Sequence, residues 1–212
     1  MDRLNGVFYL PEKFFRKENN EPFIQKVMAS VLNKKEWIQG DPNKFEPDYF
    51  CEGLPFEFTI ASDTKKKKNF IKNLGQGDFS SNDVESDALQ YITESIEKKV
   101  KKNYSVDGVH LCVLCLLSIY PWVSDAYASP LCALFNYRYK CFLEKLKTEY
   151  IDTETFNNIF IIFPDSSARW CVQDVRTSNK GFYILSEEEK NEGQTPYIMS
   201  VNEYKKMIEI EV

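Results

Sequence analysis

The chain has 212 residues, of which 43% are hydrophobic and 28% are charged, and these values exclude a disordered or fibrous protein. A chain of this length buries roughly 70% of the surface that its unfolded form exposes, so its core needs no disulfide or metal. The net charge of −5 excludes a protein that coats nucleic acid through bulk positive charge, although a local basic patch can still bind it.

The sequence predicts an intracellular, cytoplasmic protein. Its longest apolar run, residues 109–120, is far shorter than the roughly 20 residues that a membrane-spanning helix requires. Residues 1–15 alternate charged and apolar side chains and lack the apolar centre of a secretory signal.

The six cysteines lie within apolar segments, a pattern typical of free buried thiols rather than of a disulfide framework. Cys112 and Cys115 have the spacing of a zinc knuckle, but on a continuous apolar strand their side chains point to opposite faces. His110, the only histidine, shares a face with Cys112. We expect it to be a strand-end residue whose ring is satisfied by hydrogen bonds.

The predicted elements alternate between helices and strands. The first helix is predicted from Asn20, as its N-cap, to about residues 33–35. Residues 45–61 are predicted to form two strands joined by a tight turn at Gly53.

The second half of the chain continues this alternation. The elements expected there are a helix from Asn82 to about Lys102, a strand at 109–119, a helix from 129–130 to about 147, strands at 158–163 and 169–175, and a helix capped by Ser200. This order predicts an α/β protein with a central mixed β-sheet flanked by helices, formed by residues 1–212 as a single domain. The acidic stretch 187–192 is predicted to be exposed, so nucleic acid would approach from the opposite side.

Residues 47–59 carry the candidate chemistry. If residues 52 and 53 form a two-residue turn, the strand register places Asp48 opposite Glu57. Alternation directs the aromatic side chains to the core, and Glu57 and Thr59 to the same cleft-facing side as Asp48. Two facing carboxylates destabilise a strand pair unless something compensates them. Mg²⁺ is a natural compensator, since it uses one or two carboxylates together with substrate phosphate oxygens.

The letters P-D at residues 47–48 and, nine residues later, E-F-T at residues 57–59 resemble the signature of the PD-(D/E)xK nuclease superfamily. The resemblance covers about residues 20–118 and implies a restriction-endonuclease-like core. In that fold a helix, a meander of three strands, a helix and a further strand follow one another, and the two acids lie on the second and third strands. The present order matches this if a short first strand lies at residues 36–39. Residues 119–212 would then form a C-terminal α/β extension.

The resemblance implies a metal-dependent nuclease in which Asp48 and Glu57 hold Mg²⁺ or Mn²⁺. The family often carries an acid on its first helix, and Glu21 falls near that position as a third candidate ligand. The backbone carbonyl of Thr59 would be a further ligand. Gln90, which is followed by Tyr91, resembles a pair that some branches carry on the next helix, and it is a candidate substrate-binding residue.

The sequence departs from the family at Thr59, which stands where the lysine that orients or activates the attacking water should be. A threonine hydroxyl supplies no positive charge, so the lysine must come from elsewhere. The nearest alternatives form a run just beyond the strand: Lys65, Lys66, Lys67 and Lys68. The first two are candidates for stabilising developing negative charge, and the last two for gripping phosphates. Lys26 on the first helix is a further alternative.

Three functions stay open at this point. The leading one is hydrolysis of phosphodiester bonds in DNA, with RNA as the less favoured substrate. The second is a catalytically inactive nuclease-fold module that binds nucleic acid or protein, which Thr59 and the net negative charge favour. The third is an interaction domain with aromatic contacts at residues 120–122 and 137–139. The expected partner is DNA, with RNA as the alternative and no membrane, and a homodimer is also open.

Overall fold

The computed structural model describes residues 6–9, 14, 16–61, 81–115, 130–164, 169–191 and 197–200. The helices within these ranges are α1 (Lys17–Leu32), α2 (Ser81–Val100), α3 (Pro130–Leu146) and α4 (Glu187–Asn191). The strands are β1 (Gly6–Tyr9), β2 (Trp37–Gln39), β3 (Tyr49–Cys51), β4 (Leu54–Ala61), β5 (His110–Cys115), β6 (Asn158–Pro164), β7 (Arg169–Asp174), β8 (Lys180–Ile184) and β9 (Tyr197–Ser200). No helix in this part of the chain is long and apolar enough to cross a membrane.

One mixed sheet organises the molecule, with seven strands in the order β2-β3-β4-β5-β6-β7-β8. Strands β4, β5 and β6 are parallel, whereas the pairs on either side of them are antiparallel. Strand β1 pairs with β9 in a separate two-stranded sheet. The predicted α/β class with a central mixed sheet and flanking helices is confirmed.

The two faces of the large sheet are covered by different helices. Phe56 and Phe58 of β4 pack in a cluster with the buried side chains of α1, while Ala61 packs in a second cluster with α2 and α3. Because the central strands are buried on both faces, β5 and β6 have almost continuously apolar sequences.

The hairpin that carries the candidate acids has the predicted register. Glu52 and Gly53 both have positive φ, 51° and 82°, as a two-residue hairpin turn requires. Cys51 pairs with Leu54, and the ladder continues to the pair of Tyr49 with Phe56. In the same register, the next pair would be Asp48 with Glu57.

The first helix begins earlier than predicted. α1 starts at Lys17, so Asn20 lies inside the helix, where its Nδ2 donates to the Arg16 carbonyl at 2.7 Å. The predicted end is confirmed, because Asn33 adopts a left-handed conformation (φ 52°) and closes the helix.

One further predicted cap differs from the structure, and another is not tested by it. α2 already includes Ser81, so Asn82 is an interior residue rather than a cap. Ser200 is the last residue of β9, and the terminal helix predicted beyond it falls at 201–212, outside the described residues. Strand β8 escapes prediction because it is an edge strand that buries only Tyr183 of its side chains.

The prediction that the cysteines are buried is confirmed for the two in β5 and is wrong for Cys141 in α3. Cys112 and Cys115 are both completely buried, and they lie in the clusters on opposite faces of the sheet, as predicted. Cys141, in contrast, is exposed, because it lies on the side of α3 that faces away from the sheet. The side chain of Cys132 lies outside the described residues.

The acidic stretch near the C-terminus is not fully exposed as predicted, because α4 turns Glu189 inward. Its Oε2 accepts from the Ser186 N–H at 2.6 Å, and the Glu189 N–H is 3.3 Å from the Ser186 hydroxyl, which together form a capping box. Its Oε1 accepts from the Tyr183 hydroxyl and pairs with Lys26 of α1. We call these four residues the Glu189 network.

Candidate active site

Asp48 lies directly before β3, at the point where the hairpin approaches α1. Its Oδ2 accepts from the backbone N–H of Phe58 at 2.9 Å, and its Oδ1 accepts from Lys17 Nζ at 3.0 Å. The side chain is only 8% exposed. The Asp48 carboxylate is therefore fixed beside the backbone of β4, one residue beyond Glu57.

Glu57 lies within β4 and is completely buried. Two lysines reach it, Lys99 in the last turn of α2 and Lys102 just after the helix. Lys102 Nζ lies 2.9 and 3.0 Å from the two carboxylate oxygens, and Lys99 also donates to Oε1. The acid therefore has a positively charged partner on each oxygen.

Glu21 is the third acid of this region. Its Oε1 lies 3.0 Å from Lys17 Nζ, so that Lys17 bridges Glu21 and Asp48. Burial raises the pKa of Glu21, and the charge of Asp48 adds to this effect, whereas Lys17 and Lys99 oppose it. Burial alone would lower the pKa of Lys17, but its hydrogen bonds to both acids raise it.

The six side chains form two bonded groups. Lys17 of α1 bonds Glu21 and Asp48, whereas Lys99 and Lys102 bond Glu57. Because the charge of Lys99 also acts on Glu21, we call the two groups together the acid–lysine cluster. Three carboxylates with little exposure to water repel one another and would be costly without counter-charges. The lysine ammonium groups take the compensating role that the sequence assigns to a metal ion.

The predicted open cleft is not found at Glu57. Both faces of β4 are covered, since α1 packs on the Phe56 face and α2 on the Glu57 face. The charged carboxylate is consequently enclosed under the lysines of α2 instead of facing water.

Tyr104, shortly after α2, lies beside the cluster. Its ring is 5.0 Å from Lys102 Nζ, a cation–π distance. Its hydroxyl is buried and finds no hydrogen-bond partner among the described residues. Burial raises the pKa of this hydroxyl, and the charges of Glu57 and Asp48 raise it further. The electrostatic influence of both acids places Tyr104 at their side of the molecule.

Of the other sequence-predicted residues that the structure describes, none is bonded to this cluster. Thr59 shares the β4 face of Glu57, as predicted, and is partly buried. Gln90 is exposed and donates from Nε2 to Glu94 on its own helix at 2.8 Å. Lys26 pairs with Glu189. The lysine run of residues 65–68 lies outside the described residues.

Sequence reasoning missed four residues of the region: Lys17, Lys99, Lys102 and Tyr104. One available signal is the three-residue spacing of Lys99 and Lys102, which puts both on one side of the helix end. Their basic character, however, equally suits the ordinary preference for cations at a helix C-terminus. The partner of these lysines, Glu57, is distant in sequence, so the pattern alone could not distinguish the two roles.

The donor atoms of the cluster are of the type that a hard divalent cation takes, but they are bonded to other groups in this structure. Asp48 and Glu57 offer carboxylate oxygens, the ligands of Mg²⁺ and Mn²⁺, and these oxygens accept hydrogen bonds from lysines and from the Phe58 N–H. Among the described residues no group of three His, Cys, Asp or Glu side chains is arranged to hold a metal. A cation would therefore rest on two carboxylates and on oxygens from the backbone, substrate or water.

No protein-family model, curated protein or solved structure matches this chain. Function must therefore be inferred from the residues of the site.

Proposed function

We propose that the chain is a metal-dependent, nuclease-like hydrolase that cleaves phosphodiester bonds in DNA, with a restriction-endonuclease-like core. The order of elements supports this proposal. Helix α1, the antiparallel meander β2-β3-β4, helix α2 and the parallel strand β5 follow one another as the PD-(D/E)xK resemblance implies. Asp48 stands at the start of the second strand of this meander, and Glu57 lies in the third.

The observation that carries the proposal is the approach of Lys99 and Lys102 to Glu57. Thr59 leaves the site without the family's lysine, and α2 returns two ammonium groups to the neighbouring acid. A lysine on a long flexible stem can reach the same space from a helix as from a strand. The positive charge is thus present at Glu57, and among the described lysines its source is the end of α2 rather than Lys26. The run at 65–68 lies outside the described residues.

The residues of the cluster have separable roles in this proposal. Asp48 and Glu57 would hold Mg²⁺ or Mn²⁺, with Glu21 as a nearby third acid. A bound divalent cation would supply Lewis-acid stabilisation of the negative charge on a phosphate. Lys99 would stabilise the charge that develops on the phosphate oxygens, and Lys17 would hold the Asp48 carboxylate in place.

The test is cleavage of labelled single- and double-stranded DNA in Mg²⁺ or Mn²⁺, with EDTA as the metal-free reference. We expect Asp48→Asn and Glu57→Gln each to reduce the rate by at least about 100-fold, the usual loss when one preorganised charge is removed. Glu52→Gln is the matched control, because Glu52 is an exposed acid of the same hairpin and pairs with Lys34. Equal rates in all three variants and the wild type would contradict the proposal.

A second candidate, a catalytically inactive binding module with the same fold, is favoured by one observation. Glu57 is completely buried and both of its oxygens are bonded to lysine. A cation must displace these contacts before it can bind.

Calorimetric titration with Mn²⁺ separates the two candidates. The hydrolase should bind the ion, and Asp48→Asn should weaken that binding. A module that binds nucleic acid in EDTA, takes up no Mn²⁺ and gains cleavage only on Thr59→Lys would be the inactive form.

A further inference from the structure

A polar cavity of about 790 Å³ opens beside the acid–lysine cluster. This volume lies within the range of roughly 300 to 1,000 Å³ that is typical of small-molecule sites. The cavity lies at the edge of the sheet where β5 and β6 begin and β7 ends. Its walls are the loop at 102–109, the turn at 154–157 and Arg176. Residues 154–157 and Arg176 belong to the C-terminal half, beyond the core that carries the two acids.

The cavity and the cluster share Lys102, whose Nζ is bonded to Glu57, and the Tyr104 ring beneath it also lines the wall. A ligand in the cavity would therefore meet the residues that surround the acids. Arg176 adds a second positive charge. Within the part of the chain that the structure describes, its side-chain hydrogen bonds leave from Nη2 to Asn157, so the other guanidinium nitrogens can bind a ligand.

The cavity is lined by acidic, basic and amide side chains, so it is suited to a ligand that carries hydrogen-bond donors as well as a phosphate. Two acids, Asp107 and Glu154, balance Lys102 and Arg176. Carboxylates repel a phosphate but accept hydrogen bonds from the amino groups of a nucleobase, and the Asn103 amide both donates and accepts. Tyr104 lines the cavity wall, so a base bound there would contact its ring. Phosphate, base edge and base face would each find a partner.

We propose that this cavity binds one unpaired nucleotide of a single-stranded DNA segment next to the phosphate at the acid–lysine cluster. Arg176 contacts the nucleotide's phosphate, Tyr104 lies against its base, and Asn103 contacts the base edge. A base inside a duplex is stacked and paired and cannot enter such a concave site without being flipped out. The inference rests on the proposed function for the identity of the polymer, and it assigns the C-terminal half a direct role in substrate selection.

The experiment measures the fluorescence anisotropy of a labelled single-stranded oligodeoxynucleotide and of its duplex, in EDTA so that no cleavage occurs. We expect tighter binding of the single strand. Arg176→Met should weaken that binding about tenfold, because it removes charge-assisted hydrogen bonds to phosphate. Arg138→Met is the matched control, since Arg138 is an exposed arginine of α3 outside the cavity wall, and its affinity should stay at the wild-type value.

Two further measurements keep the inference testable if Arg176→Met does not fold. Asn103→Ala changes an exposed residue of the wall and should weaken binding about threefold, the effect of one neutral hydrogen bond. A single strand carrying 5-iodouracil should form a photo-crosslink with Tyr104, located by mass spectrometry, whereas the duplex should not.

The outcomes distinguish this inference from the proposed function. Cleavage that depends on Asp48, together with unchanged affinity in both cavity variants and no crosslink at Tyr104, would overturn the cavity site alone. Arg176-dependent binding of the single strand by a protein that never cleaves would support the cavity site and overturn the hydrolase. Equal affinity for single strand and duplex would also overturn the proposed preference for an unpaired nucleotide.

Discussion

The acid–lysine cluster and the Glu189 network both bury carboxylates beside α1, but they treat the charge in opposite ways. In the network, burial alone would raise the pKa of Glu189, yet hydrogen bonds from Lys26, Tyr183 and Ser186 lower it to about 2. In the cluster, burial and the nearby charge of Asp48 leave the pKa of Glu21 raised.

The two regions differ in how many charged groups they gather, since the acids of both are paired. In the Glu189 network, a single carboxylate has donors from nearby elements on each of its oxygens. The cluster instead gathers three acids and three lysines, and the Tyr104 hydroxyl at its side has no hydrogen-bond partner among the described residues. Several titratable groups in one place, with a raised pKa among them, are typical of functional sites, whereas one acid stabilised by its hydrogen bonds is typical of structural ones.

Replacing one lysine in each region by methionine tests this difference most directly. Lys99→Met should lower DNA cleavage about 100-fold, because it removes a positive charge from beside Glu57. Lys26→Met, in the Glu189 network, should leave cleavage at the wild-type rate and lower only the stability. Rates measured under single-turnover conditions with saturating DNA separate catalysis from binding. The reverse pattern would mean that Lys26 is the relocated lysine.

Substitutions in the two regions should affect the stability of the fold in the opposite order to their effect on DNA cleavage. At pH 7, Glu189→Gln should lower the free energy of unfolding by about 2 kcal/mol, because it removes a carboxylate with several charge-assisted hydrogen bonds. Glu21→Gln should be neutral or stabilising by up to about 1 kcal/mol, since the raised pKa of Glu21 means that folding disfavours its ionised form.

The pH dependence of these two effects has opposite signs. Because the pKa of Glu189 is lower in the folded protein than its ordinary value of 4.5, ionised Glu189 stabilises the fold at pH values above 4.5. This contribution is lost as the pH falls towards 2. Because the pKa of Glu21 is raised in the folded protein, its ionised form destabilises the fold at neutral pH. Protonation of Glu21 removes this destabilisation as the pH falls. Urea unfolding of both variants at pH 7 and pH 4 checks the pair. Equal destabilisation by both substitutions would remove the distinction between network and cluster.

The sequence predicted most of the central sheet because its signals are local. The E-G turn fixed the register of β3 and β4, and the apolar runs of β5 and β6 marked strands buried on both faces. Helix starts were harder. Asn20 looks like a cap, yet its side chain bonds back to Arg16 within a helix that had already begun.

The site could be predicted only in part for a different reason. Asp48 and Glu57 lie in one hairpin, so their neighbourhood follows from the strand register. Lys99 and Lys102 reach Glu57 only because α2 packs across β4, a long-range contact that local patterns do not contain. The enclosure of Glu57 follows from the same packing.

His110, at the start of β5, should make the stability of the fold depend on pH. Its Nε2 lies 2.9 Å from the Asn157 side-chain amide, but its buried Nδ1 has no described partner, so the predicted satisfied ring is only half correct. Burial, together with the charge of Arg176 and against the opposing charge of Asp174, lowers the pKa of His110 from 6.5 to about 4. The unfolded chain therefore binds a proton between these pH values while the folded protein does not.

Stability should consequently fall as the pH drops from about 6.5 to 4, by on the order of 2 kcal/mol from this group. His110→Gln should remove this part of the pH dependence, as measured by urea unfolding of the variant and the wild type in parallel. Because His110 is the only histidine, its ring signals in NMR spectra report the titration directly. A ring that titrates near 6.5 in the folded protein would contradict the expectation.

The smallest expected changes in the free energy of unfolding come from removing one tyrosine hydroxyl in each region. These two substitutions are also the most closely matched pair. Tyr183→Phe should lower the free energy of unfolding by about 1 kcal/mol, because its hydroxyl donates to Glu189. Tyr104→Phe should raise it by about 1 kcal/mol, because that hydroxyl is buried without a partner and its removal relieves a desolvation cost. If the Tyr104 hydroxyl takes part in the site, the same variant should cleave DNA more slowly while it melts at a higher temperature. A gain in stability with a loss of activity is the signature expected of a residue kept for function at a cost to the fold. A loss of stability in both variants would mean that Tyr104 is an ordinary structural residue.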